Sequence, residues 1–351
     1  MVYIEKKKYY RWVFVLLLGL LFIAILLGCS LGSADITAVD ALKIIVKKIP
    51  TIGERLIKEE FSSSRISVVW KLRMPRTLMA AIVGAALAFS GAVYQGLFKN
   101  PMAESYVLGV SSGAALGGTL GIILGISKIL GFSGTALVSF VGAVVTTFLV
   151  YEMARGRGRV SMTTLLLAGV AINFLLSALN SLLLIFNKNN MERIVLWTMG
   201  SLANANWTKV AVAFFGAMIG MIVTSFFSKD LNVLLMGEED AKHLGINVER
   251  TKKILLALSS LIAAMAVSVS GIIGFVGMIV PHAVRLMTGP DHRIVLPYSA
   301  VMGGVFLIVA DILARTLASP MEIPVGVITA ITGAPFFLYL LVKERRRKFR
   351  V

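Results

Sequence analysis

Acidic side chains are nearly absent from the apolar stretches of this chain, and the main exception is Asp311. Asp311 precedes Arg315 by four residues, so on a helix the two lie one turn apart on the same face and can form an ion pair. Charged groups at membrane depth are costly and are kept mainly for function, as in carriers driven by protons or sodium ions. A structural ion pair near a helix end is the plainer interpretation of these two residues.

Residues that usually bind metals or perform catalysis form no motif in this sequence. The three histidines are His243, His282 and His292, and none stands at metal-ligand spacing from Cys, Asp or Glu. The chain has no G-x-x-x-x-G-K-[ST] loop for phosphate, and no paired carboxylates or Ser/His pair in its apolar segments. The sequence therefore predicts no catalytic residues, no metal site, no cofactor and no enzymatic activity of its own.

Composition indicates a polytopic helical membrane protein. The chain of 351 residues is 57% hydrophobic, its mean hydropathy is +0.86, and apolar stretches of about 20 residues, enough to cross a bilayer core, recur along it. We predict an all-α fold with about ten transmembrane helices. The spans lie approximately at residues 12–31, 77–98, 108–130, 136–153, 164–186, 210–227, 254–270, 272–287, 296–314 and 325–342.

The net charge of +17 does not indicate nucleic-acid binding, because the basic residues collect in short loops and at both ends of the chain. An even number of spans places both ends on one side, and their basic residues identify that side as the cytoplasm. We therefore expect a multi-pass protein of the plasma (inner) membrane with both termini cytoplasmic. Residues 43–76 break this pattern, since they carry nine lysines and arginines in a segment predicted to be external.

Residues 34–75 form the main polar insertion, between the first span (11–33) and the second. Its apolar and basic residues fall on opposite helical faces, with Leu42, Ile45, Val46 and Ile49 on one and Lys43, Lys47 and Lys48 on the other. Such a helix can lie on the outer membrane surface or touch a partner, or it can cap the external ends of the spans, which we favour. The first span ends in Leu26-Leu27-Gly28-Cys29, which imitates a lipoprotein signal; we interpret it as a retained membrane helix.

The second span has the features of a wall of a transport pathway. Arg73-Met74-Pro75-Arg76 stands at its entrance, and Lys99-Asn100-Pro101-Met102-Ala103-Glu104 closes its far end. Between them, small residues such as Gly84, Gly91 and Gly96 allow neighbouring helices to approach closely.

The predicted cytoplasmic loop at 228–253 contains a second informative segment. Glu238, Glu239 and Asp240 stand where a helix would begin, which favours its dipole, and Gly245 stands where it would end. The loop should therefore carry a short helix with a small residue, Ala241, in its middle. A membrane protein that receives force from a soluble motor needs such a projection.

These pieces together resemble the FecCD family, the permease subunits of ATP-driven importers for iron-siderophores, haem and cobalamin. The matching pieces follow the family's order from about residue 70 to the C-terminus, at residues 73–78, 84–91, 99–104, 108–111, 165–170, 237–246, 274–282, 310–315 and 322–329. The resemblance implies a permease of the type II ABC importer class. It also implies a single transmembrane domain over residues 1–351, with spans 2–6 in 76–227, spans 7–10 in 254–342 and a basic cytoplasmic tail at 343–351.

The resemblance also implies partners and site residues. Such permeases form homodimers with the pathway on the two-fold axis, two ATPase subunits below and one extracytoplasmic substrate-binding protein above. The residues expected to face outward and meet acidic groups of the binding protein are Arg73, Arg76 and Arg315. The residues expected to seat in a cleft of the ATPase are Gly237, Glu238, Ala241, Leu244 and Gly245. The residues expected at the cytoplasmic constriction are Asn100, Met102, Ser161, Met162 and Thr163.

Two classes of transporter remain open from the sequence. One is the permease of an ATP-driven importer, which binds ATP only through a partner subunit. The other is a secondary transporter that works alone on an ion gradient. The lack of metal ligands in this chain fits a cargo that arrives already chelated, but the sequence does not identify the chelate.

Overall fold

The computed structural model describes residues 2–32, 34–49, 53, 57, 59–126, 134–156 and 159–348. These residues are mostly helical. Besides turns and irregular connections, they contain one hairpin of two short antiparallel strands, β1 (Arg155–Gly156) and β2 (Arg159–Val160), in which Arg155 pairs with Val160. The predicted all-α class is confirmed.

The helical elements follow one another along the chain with short connections. In order they are α1 (Val2–Ser30), α2 (Ala38–Lys47), α3 (Ser63–Ser67), a π-helical turn (Val68–Arg73), α4 (Met74–Leu97), a 3₁₀ turn (Ser105–Leu108), α5 (Val110–Ile123), α6 (Gly134–Ala154), α7 (Met162–Phe186), a 3₁₀ turn (Lys188–Asn190), α8 (Met191–Thr198), α9 (Trp207–Ser225), α10 (Ser228–Met236), α11 (Glu238–His243), α12 (Val248–Ser270), α13 (Val276–Thr288), α14 (His292–Thr316) and α15 (Val325–Lys348).

Ten of these segments are apolar and lie at the ten predicted positions. Among the described residues, seven are long and apolar enough to cross a membrane: Lys8–Ser30, Ser63–Leu97, Gly134–Ala154, Met162–Phe186, Trp207–Ser225, Val248–Ser270 and His292–Thr316. Three are shorter: Val110–Ile123, Val276–Thr288 and Val325–Tyr339. The prediction of about ten membrane helices is confirmed, although α5 and α13 are shorter than the roughly 20 residues that a full crossing needs.

Helix α4 forms the centre of the bundle and packs against α12, α13 and α14. Its backbone touches those of α13 and α14 directly. A Cβ atom built on Gly84 would lie 2.2 Å from the carbonyl oxygen of Gly303, and one on Gly91 would lie 2.0 Å from that of Gly277. Because even a methyl group does not fit at these crossings, glycine is required there.

Helix α7 differs, because most of its large apolar side chains point out of the chain. Phe174, Leu175 and Phe186 are among them. Lipid or another protein must cover such a face in a membrane protein.

The insertion after the first span folds back on the bundle. Thr37 caps α2 by accepting a hydrogen bond from the Asp40 backbone N–H at 3.1 Å, and Ala41 and Ile44 are buried with Cys29 and Val69. The buried face therefore differs from the one expected from the lysine spacing, since Leu42 and Ile49 are exposed. Helix α2 lies over the ends of α1 and of the π-helical turn, as a cap would.

Two of the predicted boundaries differ from the structure. The helix that contains the second span begins inside the insertion, because α3, the π-helical turn and α4 run without a break over Ser63–Leu97. The loop predicted at 228–253 is shorter, because α12 begins at Val248. It begins there since Asn247 accepts a hydrogen bond from the Arg250 backbone N–H at 3.1 Å and so caps the helix.

Candidate docking and coupling sites

Arg73 and Arg76 lie on either side of the junction between the π-helical turn and α4. The Arg73 guanidinium donates hydrogen bonds to the backbone oxygens of Cys29 at 3.3 Å and of Ala34 at 2.8 Å, and also to that of Ser30. The chain at the end of α1 therefore satisfies this cation with carbonyl groups.

Arg76 belongs to a four-residue ionic cluster that joins α4 to α14. Its Nε atom lies 2.9 Å from Asp311 Oδ1, and its Nη1 atom lies 2.9 Å from Glu322. Asp311 Oδ2 lies 3.1 Å from Arg315 Nε, so the ion pair expected from the four-residue spacing is confirmed. The Arg315 Nη2 atom also donates to the backbone oxygen of Gly28 at 3.1 Å. Arg73 and this cluster define the arginine end of the bundle.

The burial of these arginines corrects one expectation. Arg73 and Arg315 are only 6% and 8% exposed, so the idea that all three arginines face outward is wrong for these two. The Arg76 side chain is 11% exposed, whereas Glu322, its partner, is 47% exposed. Their role in docking a binding protein stays a prediction, and Arg76 with Glu322 is the part of the cluster that an incoming protein can reach.

The short helix predicted in the loop is α11. It begins after Gly237 and ends before Gly245, whose φ of 81° is the left-handed conformation typical of glycine after a helix. Ala241 is fully buried against the rest of the chain, and Glu238 pairs with Lys252 of α12 at 2.6 Å. Leu244 is 65% exposed. One face of α11 is thus attached to the bundle, and the other offers acidic groups and a leucine to solvent.

Three polar residues hold α10 against the start of α14, and no pattern in the sequence assigned a role to any of them. The Asn232 Nδ2 atom donates to Asp291 at 2.7 Å. The Asn232 Oδ1 atom accepts from the His292 backbone N–H at 2.8 Å and lies 2.9 Å from His292 Nδ1. Asn232, Asp291 and His292 together form the α10–α14 joint.

The negative charge of the α10–α14 joint is carried by Asp291 and is stabilised by neighbouring hydrogen bonds. Hydrogen bonds from Arg293, and then from Asn232, lower the pKa of Asp291 to about 2 despite its partial burial. Because this pKa is depressed on folding, the stabilisation is present above the ordinary pKa of aspartate and is lost only as the pH falls towards 2. Asp291 is therefore ionised at any physiological pH.

The two turns expected at the constriction are each held by local hydrogen bonds. Asn100 Oδ1 accepts from the Met102 backbone N–H at 2.9 Å, and Ser161 Oγ accepts from the Thr164 N–H at 3.4 Å at the start of α7. Met102, Ser161 and Thr163 are exposed, whereas Met162 packs partly against the core. Their role as a gate stays a prediction.

Glu104 follows the first of these turns, and its sequence context predicted no function for it. Its carboxyl lies near the backbone of Phe275, a residue with a φ of 69° at the start of α13. Burial raises the pKa of Glu104 to about 7, and the Phe275 backbone offsets only part of that rise. No group of three or more potential metal ligands occurs in the described part of the chain.

Comparison with known proteins gives consistent results. Residues 20–343 match the FecCD transport family. The chain is 48% identical over 274 residues to the cobalamin import system permease protein BtuC of Halobacterium salinarum, covering 78% of this chain and 73% of that protein. It is 37% identical over 337 residues to the hemin transport system permease protein HmuU of Yersinia pestis, covering 95% and 97%. A metal-chelate type ABC transporter solved in an inward-facing conformation superposes with a TM-score of 0.80 at 32% identity, covering 95% and 99%.

Proposed function

The chain belongs to the FecCD transport family, and we propose that it forms the membrane pathway of an ATP-binding-cassette importer for a metal chelate of the cobalamin, haem or siderophore class. In this proposal two copies form the pathway, two ATPase subunits bind the cytoplasmic side, and one substrate-binding protein delivers the chelate from outside. The exposed face of α7 fits a subunit contact, because such a face needs a cover. The proteins named for cobalamin and hemin transport support the substrate class.

The observation that carries the proposal is the construction of α11. This six-residue helix projects acidic groups into solvent, and Leu244 directly after it is also exposed. Buried Ala241 and the ion pair from Glu238 to Lys252 fasten the helix to the membrane bundle. A partner that binds the exposed face of α11 can therefore move the membrane bundle, because the opposite face of α11 is fastened to that bundle. A permease driven by an ATPase on a separate chain needs such a connection.

The ion-gradient carrier is the second candidate, and one observation favours it. Glu104 lies in the connection between α4 and α5, where burial raises the pKa of its carboxyl to about 7, and such a carrier would need a carboxyl that binds and releases a proton. Asp311 does not serve this candidate, because two arginines hold its carboxylate.

Reconstitution separates the two candidates. Proteoliposomes that contain this chain, its cognate ATPase and its binding protein should accumulate cyanocobalamin or haemin only when ATP is supplied on the ATPase side. Uphill uptake by vesicles that contain this chain alone, abolished by an ionophore and indifferent to ATP, would establish the carrier instead.

The exposed leucine of α11 provides a direct test of ATPase binding. Leu244→Asp should reduce the amount of ATPase that co-purifies with the permease by about tenfold, since loss of an apolar side chain buried at an interface centre can cost about 1.4 kcal/mol or more of binding free energy. Leu317→Asp is the matched control, because Leu317 is 63% exposed and follows α14 at the arginine end. Equal ATPase recovery with both variants would remove α11 from the interface.

Docking of the binding protein at the arginine end can be tested without changing the buried arginines. Glu322→Gln removes the exposed carboxylate that pairs with Arg76 and leaves Asp311 in place. An acidic binding protein should then bind about three- to tenfold more tightly at low salt, and the difference should shrink at high salt, because the effect is electrostatic.

Glu60→Gln is the control for that measurement, since it removes one exposed negative charge from the segment before α3. Titration of the binding protein onto the permease in nanodiscs would measure both affinities. Weaker or unchanged binding with Glu322→Gln would contradict the assignment of this surface.

A further inference from the structure

Three helices meet closely where α10 approaches the membrane bundle. Leu231 and Leu234 of α10 are buried there. A Cβ atom built on Gly96 of α4 would lie 2.7 Å from His292 Nε2 and 3.1 Å from Leu231. Helix α10 therefore packs against the end of α4 and the start of α14 with no spare volume.

The hydrogen bonds of the α10–α14 joint fix how α10 is positioned relative to α14. The Asn232 amide uses both of its ends, because Oδ1 accepts from the His292 backbone and Nδ2 donates to Asp291. Asp291 in turn caps α14 by accepting from the Arg293 backbone N–H at 3.0 Å. The directional geometry of these hydrogen bonds, added to the close packing, favours a single register between α10 and the first turn of α14.

The α10–α14 joint differs from the ion pair that attaches the neighbouring helix α11. Glu238 is 47% exposed and its partner Lys252 of α12 is 6% exposed, so that ion pair fastens α11 to α12 but does not reach α14. The joint lies at the first turn of α14, and the last turns of the same helix carry Asp311 and Arg315. A helix of 25 residues is about 37 Å long, so α14 connects the joint directly to the arginine end.

We propose that Asn232 is the positioning residue that makes α14 follow the movement of α10 and α11, acting through Asp291 and His292. The inference rests on the proposed function, because it assumes that an ATPase moves α11. The joint then keeps ATP hydrolysis on one side of the membrane in step with the change at the arginine end on the other.

The test uses the full complex of permease, ATPase and binding protein in proteoliposomes, and measures cyanocobalamin or haemin uptake per ATP hydrolysed. Asn232→Leu keeps a similar volume but removes every hydrogen bond of the amide. We expect assembly and ATP hydrolysis within about twofold of the unaltered complex and a fall of about tenfold in uptake per ATP. Lys229→Ala, an exposed change on the same helix, should leave this ratio unchanged.

Exchanging the side chains of Asn232 and Asp291 shows whether their hydrogen bond, rather than side-chain packing alone, is what matters. Asn232→Asp alone places two carboxylates together and should lower uptake per ATP. Combined with Asp291→Asn, it restores one donor and one acceptor with the same net charge, and the new amide oxygen can still cap α14. The ratio should then return to within about threefold of normal. If Asn232→Leu does not assemble, this pair of variants decides the question.

Three results would overturn the inference. The first is a normal uptake per ATP with Asn232→Leu, and the second is an equal ratio for the single and the double exchange. The third is a parallel loss of hydrolysis and uptake with Asn232→Leu together with a double exchange whose ratio stays low. Uptake by the unaltered chain without any ATPase would instead overturn the proposed function, so the two failures are distinguishable.

Discussion

Gly91→Ala prevents the normal contact between α4 and α13 and lowers the stability of the protein by more than about 3 kcal/mol. The added methyl group would lie 2.0 Å from the carbonyl oxygen of Gly277, and a backbone atom cannot rotate away from it as a side chain can. Overpacking in well-packed cores typically costs about 1–3 kcal/mol, and a clash with backbone exceeds that range.

Gly19→Ala is the matched control for this prediction. Gly19 is also inside a membrane helix, but a Cβ atom there would meet nothing within 4 Å. Thermal unfolding in detergent, followed by loss of the monodisperse peak in size-exclusion chromatography, compares the two variants. Equal midpoints for both would show that the crossing of α4 and α13 is looser than the structure indicates.

Asp311→Asn should produce the second large effect, a loss of about 3–5 kcal/mol of stability. It leaves the Arg76 and Arg315 cations next to each other without the buried carboxylate that now contacts both. Removing one partner of a buried ionic group costs this much because the remaining charges stay desolvated.

Glu322→Gln tests whether burial causes that loss. Glu322 contacts the same Arg76 but is 47% exposed, so its removal should cost no more than about 1 kcal/mol. Unfolding midpoints at low and high salt would compare the variants. A loss with Asp311→Asn as small as that with Glu322→Gln would mean that water reaches the cluster and screens it.

Some features of this fold could be predicted because they depend on local sequence. The ten apolar segments follow from hydropathy, and the ion pair of Asp311 with Arg315 follows from helical spacing. The bounds of α11 follow from the acidic residues at its start and from Gly245 after it.

Other features depend on contacts between distant parts of the chain. Arg73 is buried because the end of α1 supplies carbonyl oxygens 39 to 44 residues away. Glu322 reaches Arg76 across 246 residues, and the α10–α14 joint brings Asn232 to residues about 60 positions later. No local pattern encodes these pairs, and a π-helical turn cannot be recognised from the residues 68–73 that form it.

The glycine crossings restrict how the transporter can change shape. Because α4 meets α13 and α14 backbone to backbone, we expect these three helices to move together. In the proposed importer, the pathway would then open by rotation of these helices against their surroundings, including the exposed helix α7. Spin labels on α4 and α14 should keep a constant separation through a nucleotide cycle, while the distance from either of them to α7 changes.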